Sequence, residues 1–259
     1  MRNKIVGATL ITLTTFSYGV NAGINIGAGI EDYSWEETIT ALPSPKESGQ
    51  RYSLHISWEQ NKDRGMLFRY RGKLYGGNVH YDTYTQQTNI PVSTTTQYTG
   101  AAHEGQLIYR NAARAYELYY VGGLGLDTWQ RKIDNRGYNQ IEDFLIVYLR
   151  GGIHLAPPAQ GSGLYGGGGL KYPIHTWEDA HLFSQGYSSN PLLEPGKDIS
   201  FYAELGYRFN KRWNLTGYYD SWRFKESPSV LAYQAGGAYL ISQPESHMDS
   251  FGLKIMYGF

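Results

Sequence analysis

The chain has 259 residues, with 23 Lys and Arg against 23 Asp and Glu, no Cys and a mean hydropathy of −0.47. The even charge balance gives no electrostatic argument for a nucleic-acid partner, and the absence of Cys excludes disulfides and thiolate metal sites. No run after residue 22 is apolar for long enough to form a transmembrane helix.

The first 22 residues predict a secretory signal peptide. Arg2 and Lys4 form a basic start, residues 5–16 are mostly apolar, and Ala22 ends a small-residue cleavage site. The apolar stretch is too short and too rich in Thr to serve as a membrane anchor. We therefore expect export, with cleavage near Ala22, and a single mature domain over residues 23–259.

Ten segments of the mature chain alternate apolar and polar residues, which is the period-2 pattern of β-strands. In the second segment, Tyr52, Leu54 and Ile56 fall on one face while Ser53 and His55 fall on the other. The irregular fourth segment and residues 225–244 leave eight or twelve strands as alternatives to ten. The predicted strands span residues 23–35, 51–60, 66–84, 98–110, 114–129, 141–155, 163–175, 198–209, 213–224 and 249–259.

The connections between these segments alternate in length. Those after the second, fourth, sixth and eighth strands are short, whereas those after the odd-numbered strands are longer, the longest being residues 176–197. Short turns at one end, long loops at the other and an even strand count are typical of a transmembrane β-barrel. A soluble β-sandwich, the competing class, gives no reason for this alternation. The predicted fold is all-β, a transmembrane antiparallel up-and-down barrel of about ten strands.

The last strand ends on an aromatic residue. Phe251, Leu253, Ile255, Tyr257 and Phe259 share one face of this strand. This ending resembles the C-terminal assembly signal of Gram-negative outer-membrane β-barrel proteins. The resemblance implies a location in the cell outer membrane, contact with outer-membrane lipid and lipopolysaccharide, and recognition of Tyr257 and Phe259 by the barrel-assembly machinery. It leaves the oligomeric state open.

The charged faces of the strands are expected to point into the lumen, because a Lys or Arg facing lipid at the midplane costs roughly 2–4 kcal/mol. The interior of such a barrel is only slightly wider than side chains can fill, which favours a lumen closed by ion pairs. Three like charges on the third strand leave an anion-preferring narrow pore as the alternative. The predicted lumen charges are Glu31, Glu59, Arg69, Arg71, Lys73, Glu104, Arg110, Glu117, Glu142, Arg150, Lys171, Glu204, Arg208 and Lys254.

Aromatic residues near the predicted strand ends are expected to form girdles at the two membrane interfaces. Stacking on carbohydrate, as in an adhesin, is the alternative role for some of them. The predicted girdle residues are Tyr33, Trp35, Trp58, Tyr84, Tyr98, Trp129, Tyr172, Trp177, Trp213 and Trp222.

Two short motifs supply candidate catalytic groups. Asp179 and His181 resemble the Asp-x-His pair of omptin-type outer-membrane proteases, which place an Asp-x-Asp pair opposite it, but the sequence contains no Asp-x-Asp. His55, Ser57 and Glu59 resemble the His, Ser and acid set of outer-membrane lipid A deacylases, but the strand register points them into the lumen rather than toward lipid. No His-x₃-His or similar pair is present, so no metal site and no cofactor are expected.

The leading functional hypothesis is a non-enzymatic outer-membrane barrel with a narrow, charge-filled lumen. It would act through its surface loops, in binding, adhesion or envelope integrity. A small-solute, porin-like channel is one alternative. An outer-membrane hydrolase of the omptin-protease or lipid A deacylase type is the other, so the sequence leaves open whether the chain is an enzyme.

Overall fold

The computed structural model describes residues 22–39, 43–61, 65–84, 90–112, 116–135, 138–157 and 161–259. The predicted signal peptide, apart from its last position, lies outside the described residues. The elements in chain order are β1 (Ala22–Thr38), β2 (Lys46–Gln60), β3 (Gly65–Tyr84), β4 (Pro91–Ala112), β5 (Glu117–Asn135), β6 (Tyr138–Ala156), β7 (Gly163–Ala180), a short 3-10 helix (Leu182–Gln185), β8 (Leu192–Leu193), β9 (Gly196–Lys197), β10 (Ser200–Arg208), β11 (Trp213–Lys225), β12 (Val230–Gln234), β13 (Gly237–Ile241) and β14 (Glu245–Gly258).

Ten of these strands form a closed antiparallel barrel, which confirms the predicted fold class and strand count. The strands β1 to β7 pair in sequence order, and the ring continues through β10, β11 and β14 back to β1. At the seam, Ile30 pairs with Leu253, and the Phe259 amide donates to the Ile24 carbonyl at 2.9 Å. Closure leaves no barrel edge in lipid, where an unpaired backbone group costs several kcal/mol. No helix among the described residues is long and apolar enough to span a membrane.

The two ends of the barrel differ. One end, here called the turn end, carries Ala22, Phe259 and the connections 61–64, 113–116, 157–162 and 209–212. At the other, the loop end, much of what the sequence predicted as loop is strand. Only residues 136 and 137 separate β5 from β6, and β7 runs to Ala180 through the start of the predicted 176–197 loop. The predicted long loop after the fifth strand is therefore wrong.

The strands are longer than a membrane requires. The longest, β4, has 22 residues, about twice the roughly 9–11 that a tilted strand needs to cross a bilayer. Near the turn end, the outward side chains form an apolar belt that marks the membrane-spanning segments. Above the belt the outward face becomes polar, so the strands continue beyond the membrane as a projecting half. The belt includes Ile24, Ile26, Ile30, Tyr52, Leu54, Ile56, Met66, Phe68, Leu74, Leu107, Leu124, Leu126, Leu149, Ile153, Leu205, Leu253 and Ile255.

The projecting half encloses an aromatic core. On β1 the outward residues change from Ile30 to Asp32 and Ser34, while the inward residues change from Glu31 to Tyr33 and Trp35. This inversion places apolar side chains inside the barrel where water, rather than lipid, surrounds it. The aromatic core consists of Tyr33, Trp35, Tyr75, Val79, Tyr98, Trp129, Phe144, Ile146, Tyr148, Trp222, Phe224 and Met248.

Half of the predicted girdle residues lie in the aromatic core. Trp129 stacks on Phe144 with ring centroids 4.9 Å apart, and Tyr148 meets Trp222 edge-on at 4.9 Å. Buried rings in such arrangements pack against each other rather than lie at a membrane interface. The girdle prediction is wrong for Tyr33, Trp35, Tyr98, Trp129 and Trp222. Of the remaining predicted girdle residues, Tyr172 and Trp213 are exposed on the outer surface.

The two longest connections, residues 181–199 and 226–244, pack together over the loop end. Leu182 and Leu193 are buried beside Tyr187, Val230 and Ile241. In the first connection, β8 pairs with β7 and β9 pairs with β11. These pairings extend the wall above the short strand β10, which has only 9 residues. The second connection contains the β12–β13 hairpin.

The belt predicts a depth-dependent response to charge. Leu54 is 59% exposed on the outer face, between Ala28 of β1 and Leu74 of β3. We expect Leu54→Arg to lower the free energy of unfolding by about 2–4 kcal/mol, because it places a cation in hydrocarbon. Urea unfolding of the protein in phospholipid vesicles, followed by Trp fluorescence, measures this change.

Asn78→Arg is the matched control, because Asn78 is exposed on the outer face of the projecting half of β3. It should change the free energy of unfolding by less than about 0.5 kcal/mol. Equal losses in the two variants would contradict the assignment of the belt.

Candidate functional site

The membrane-spanning half of the barrel encloses a charged cavity of about 390 Å³. It begins below Trp222 and Met248 of the aromatic core and extends to the turn end, where Asn210 and Lys211 line it. On one side of that end, the interior is filled by a separate apolar cluster of Leu67, Ile108, Tyr119 and Val121. The cavity is thus covered by the aromatic core toward the loop end and reaches the surface at the turn end.

Ion pairs across neighbouring strands build the cavity wall. Glu31, buried on β1, lies 2.6 Å from Nη2 of Arg51 and 2.5 Å from Nζ of Lys73. Glu59 joins two cations in the same way, at 2.5 Å from Arg69 and 3.1 Å from Arg110. Each carboxylate therefore serves two cations, and hydrogen bonds to charged groups are stronger than those between neutral groups.

A third carboxylate bridges more distant strands. Glu204 of β10 lies 3.1 Å from Nη2 of Arg71, 3.1 Å from Nδ1 of His154 and 3.9 Å from Nζ of Lys254. These partners come from β3, β6 and β14, so the contacts tie opposite parts of the ring together. A fourth carboxylate, Glu104, accepts from Arg150 at 2.7 Å and from the Tyr148 hydroxyl at 2.7 Å.

Glycines make room for these long side chains. Gly29 of β1 faces inward beside Lys254, and a Cβ there would lie 3.1 Å from the Cβ of that lysine. At Gly252 of β14, a Cβ would overlap the Tyr218 ring. Tyr218 donates to Glu31 at 2.8 Å. The missing side chains therefore allow groups from non-adjacent strands to meet over β1.

The predicted lumen charges all face inward, although they do not form one group. Glu31 lies directly behind Arg51 and Lys73, and Glu117 lies behind Arg110 at 3.6 Å. Lys171 pairs with Asp220 at 2.7 Å. Glu142 lies in the projecting half, away from the cavity. The cavity itself is lined by Glu59, Arg69, Arg71, Lys73, Glu104, Arg110, Arg150, Glu204, Arg208 and Lys254.

Sequence reasoning missed several charged groups of the interior: Arg51, Asp127 and Asp220 around the cavity, and Glu37, Glu47, Arg131 and Glu178 in the projecting half. Asp127 accepts from the Tyr75 hydroxyl at 2.8 Å and from the Trp222 indole at 3.1 Å, and so connects the cavity to the aromatic core. Strand alternation could have identified Arg51 and Arg131, because residues an even number of positions apart lie on the same face of a strand. Arg51 lies on the face of His55 and Glu59, and Arg131 lies on the face of Asp127.

A carboxylate cluster surrounds one guanidinium in the projecting half. Arg131, 2% exposed, contacts Glu37 at 3.0 Å, Glu47 at 2.7 Å and Glu142 at 2.8 Å. Glu178, 1% exposed, is buried near them. Burial, together with the Glu142 and Glu37 carboxylates, raises the pKa of Glu178 well above its usual range. Burial likewise raises the pKa of Glu37. Among the described residues, Arg131 is the cation paired with Glu37, Glu47 and Glu142, and the raised pKa of Glu37 and of Glu178 favours their protonated forms.

The His55, Ser57 and Glu59 set does not form a nucleophile–base pair. His55 Nε2 lies 2.9 Å from Ser53 Oγ, while Ser57 accepts from Asn25 at 3.3 Å. Glu59 is occupied by its two arginines. All three candidate residues line the cavity, as the strand register predicted.

The Asp179 and His181 pair lies on the outer wall. A register shift beside Val147 and Tyr148 changes the parity of β7, so that Asp179 pairs with Asp143 and faces outward. His181 Nε2 lies 2.8 Å from Asp143 and 4.0 Å from Asp179. The prediction that Asp179 belongs to a loop is wrong, because β7 extends through it. Within the described ranges, no group of three or more His, Cys, Asp or Glu is placed to hold a metal ion.

The carboxylate cluster predicts a pH dependence. A carboxyl whose pKa is raised on folding binds more protons in the native state, so its contribution to stability is fully present below the unfolded pKa of about 4.3 and is lost as pH rises through the native pKa. We expect Glu178→Gln to raise the free energy of unfolding at neutral pH. The free energy of unfolding of the wild type should decline by up to about 1.4 kcal/mol per pH unit as pH rises above the unfolded pKa of this carboxyl, and the substitution should remove that decline.

Urea unfolding midpoints of the wild type and of Glu178→Gln between pH 5 and pH 8 measure this effect. Glu245→Gln, at an exposed position of β14, is the control and should keep the wild-type pH profile. A wild-type profile in Glu178→Gln as well would contradict the prediction.

Comparison with known proteins gives similarity of fold. No family model matches the sequence, and no curated protein matches it either. The structure is similar to the outer membrane protease OmpT from Escherichia coli, with a TM-score of 0.52 and 11% identity over 95% of this chain and 99% of that one. It is also similar to the transport unit of the Escherichia coli autotransporter AIDA-I (TM-score 0.47, 11% identity, 95% and 92% covered). A third similar structure is the translocator domain of the autotransporter NalP from Neisseria meningitidis (0.41, 10%, 92% and 88%). At these identities the similarity concerns the fold alone: the chain has the fold of the Gram-negative outer-membrane β-barrel proteins.

Proposed function

We propose that the protein is a non-conducting barrel of the outer membrane that binds a partner through its projecting half. Short turns face the periplasm in outer-membrane barrels, so the turn end would lie in the periplasm and the loop end outside the cell. The observation that carries this proposal is the aromatic core, which fills the interior of the projecting half.

A conducting pore needs a continuous polar path, and two layers oppose one here. The first is the aromatic core, in which Trp35, Trp129 and Phe144 are at most 2% exposed. The second is the carboxylate cluster around Arg131, whose members are at most 8% exposed. Close-packed interiors leave few voids larger than a water molecule. These layers favour a surface role over the small-solute channel.

The hydrolase alternatives receive less support. The deacylase-like residues have hydrogen-bond partners other than each other, and Ser57 lies inside the barrel, away from lipid. The omptin-like residues Asp179 and His181 lie on the outer wall, and Asp143 is the acid beside them. An activated nucleophile or water requires a base within hydrogen-bond reach and a site that excludes bulk water. His181 and Asp179 are 33% and 49% exposed.

The surface available for binding is the β12–β13 hairpin at the loop end. Leu231, Tyr233 and Leu240 are 50%, 54% and 72% exposed, and Phe183 of the neighbouring connection is 61% exposed. Hydrogen bonds fix the hairpin to that connection, for example from the Ser188 amide to the Tyr233 carbonyl at 2.7 Å. An exposed apolar patch on a firmly held element is typical of an interaction site.

The filled interior predicts that the protein does not conduct ions. Mature protein refolded into a planar bilayer should give no steady single-channel conductance, because packed side chains fill the projecting half. Heat-modifiable migration on gels verifies folding of the same sample. Steady conductance from verifiably folded protein would contradict the proposal and favour the channel.

If the hairpin is the binding surface, changing its exposed apolar residues should weaken binding. Immobilised fibronectin, collagen and lipopolysaccharide are the probe surfaces, and vesicles carrying the wild type should bind at least one of them. The triple variant Leu231→Ser, Tyr233→Ser, Leu240→Ser should lose at least about tenfold in affinity, as central apolar contacts usually do. Plasmon resonance measures the binding.

The control carries Gln50→Ser, Asn78→Ser and Gln97→Ser, three exposed polar positions on the projecting wall. It should bind as the wild type does. Binding of the wild type no stronger than that of empty vesicles on all three surfaces would count against the proposal.

A further inference from the structure

The charges around the cavity do not balance. Three carboxylates, Glu31, Glu59 and Glu204, each bridge two Lys or Arg side chains. The lining holds five acids, namely Glu59, Glu104, Asp127, Glu204 and Asp220, and nine bases, namely Arg51, Arg69, Arg71, Lys73, Arg110, Arg150, Arg208, Lys211 and Lys254. Among the described residues, including Glu31, Glu117 and Lys171, which pair with lining residues from behind, gives ten bases against seven acids, a surplus of three positive charges.

Three of these bases, Arg71, Lys73 and Lys254, lie around one place, while Arg208 and Lys211 lie near the turn end. Arg71 and Lys254 share Glu204. The ammonium groups of Lys73 and Lys254 lie 5.5 Å and 5.2 Å from the centre of the Tyr218 ring. The three cations come from β3 and β14, two strands that are separated by β1 and β2. Gly29 of β1 leaves room beside Lys254, because a Cβ there would lie 3.1 Å from the Cβ of that lysine.

A positive surplus inside this wall is costly, and a bound anion would offset that cost. Lipid surrounds this half of the barrel, and like charges repel each other more strongly when low-dielectric walls replace water. The same walls focus the field of the cations into the cavity and attract anions. Guanidinium groups present paired N–H donors that match the oxygens of phosphate, sulfate and carboxylate.

We propose that the cavity binds a small multivalent oxyanion, such as a compound with two or more phosphate groups, that enters from the turn end. The volume of about 390 Å³ lies within the roughly 300–1,000 Å³ of small-molecule sites. The aromatic core prevents onward passage, so the anion is held rather than transported. This site is separate from the hairpin surface and goes beyond the proposed surface function.

Pyrophosphate is the probe for this site. Isothermal titration calorimetry on the refolded full mature chain should show saturable binding of pyrophosphate and none of the neutral sugar trehalose. Lys73→Gln and Lys254→Gln should each weaken binding by about tenfold or more, because each removes a charged partner of the anion. Lys225→Gln, an exposed lysine of the projecting half, should leave binding unchanged.

A second measurement covers variants that fail to fold. Pyrophosphate should raise the thermal unfolding temperature of the wild type above that in sodium chloride of equal ionic strength, because a ligand of the native state stabilises it. Absence of this rise, or equal binding by all three lysine variants, would overturn the site. Conductance and hairpin binding are independent of these results, so failure of the anion site would leave the surface function standing.

Discussion

The closed ring of ten strands is the constraint on which the other features depend. Backbone groups in lipid must pair, so β14 returns to β1 and no edge remains. Closure at this strand number brings opposite walls within reach of long side chains. Glu204 can therefore contact Arg71 and Lys254 from distant strands, and Trp35 can pack on Phe144 at 5.5 Å. In an open sheet these residues would have no common neighbour.

Given this ring, the surroundings of each half decide what fills it. Where lipid surrounds the barrel, apolar residues face out and the interior receives the charges. Where water surrounds it, the preference reverses, as on β14, where Lys254 is inside the belt and Met248 is inside the projecting half. The two patterns cancel in the average, which is why the mean hydropathy of −0.47 conceals both. A polar cavity and an apolar core in one lumen thus result from one rule applied in two solvents.

Most of the fold could be predicted from the sequence, because alternation fixes faces wherever strands are regular. The inward positions of Arg69, Arg71 and Lys73 follow from it directly. The same parity assigns Tyr33 and Trp35 to the interior, but residue type and position near a strand end suggested a girdle. The loop-end extensions were missed because a strand in water, with Thr and Gln facing out, resembles a loop in composition. The register shift on β7 reverses the face of Asp179. Pro173 beside it is the one hint in the sequence, and a single proline does not predict a register shift.

The cavity required the structure for a different reason. Sequence gives the sign and face of each charge but not which carboxylate lies between which cations. Six acids and eight bases, the predicted lumen set, suggested mutual neutralisation. The structure adds Arg51 to the bases of the lining and places Glu142 with Arg131 instead of among them. Gaining Arg51 and Lys211 and losing Glu142 outweigh the gain of Asp127 and Asp220, so the cavity becomes more positive, while the carboxylate cluster above is negative. The interior is therefore polarised along its axis, with excess protons or cations favoured in the projecting half and anions favoured at the turn end.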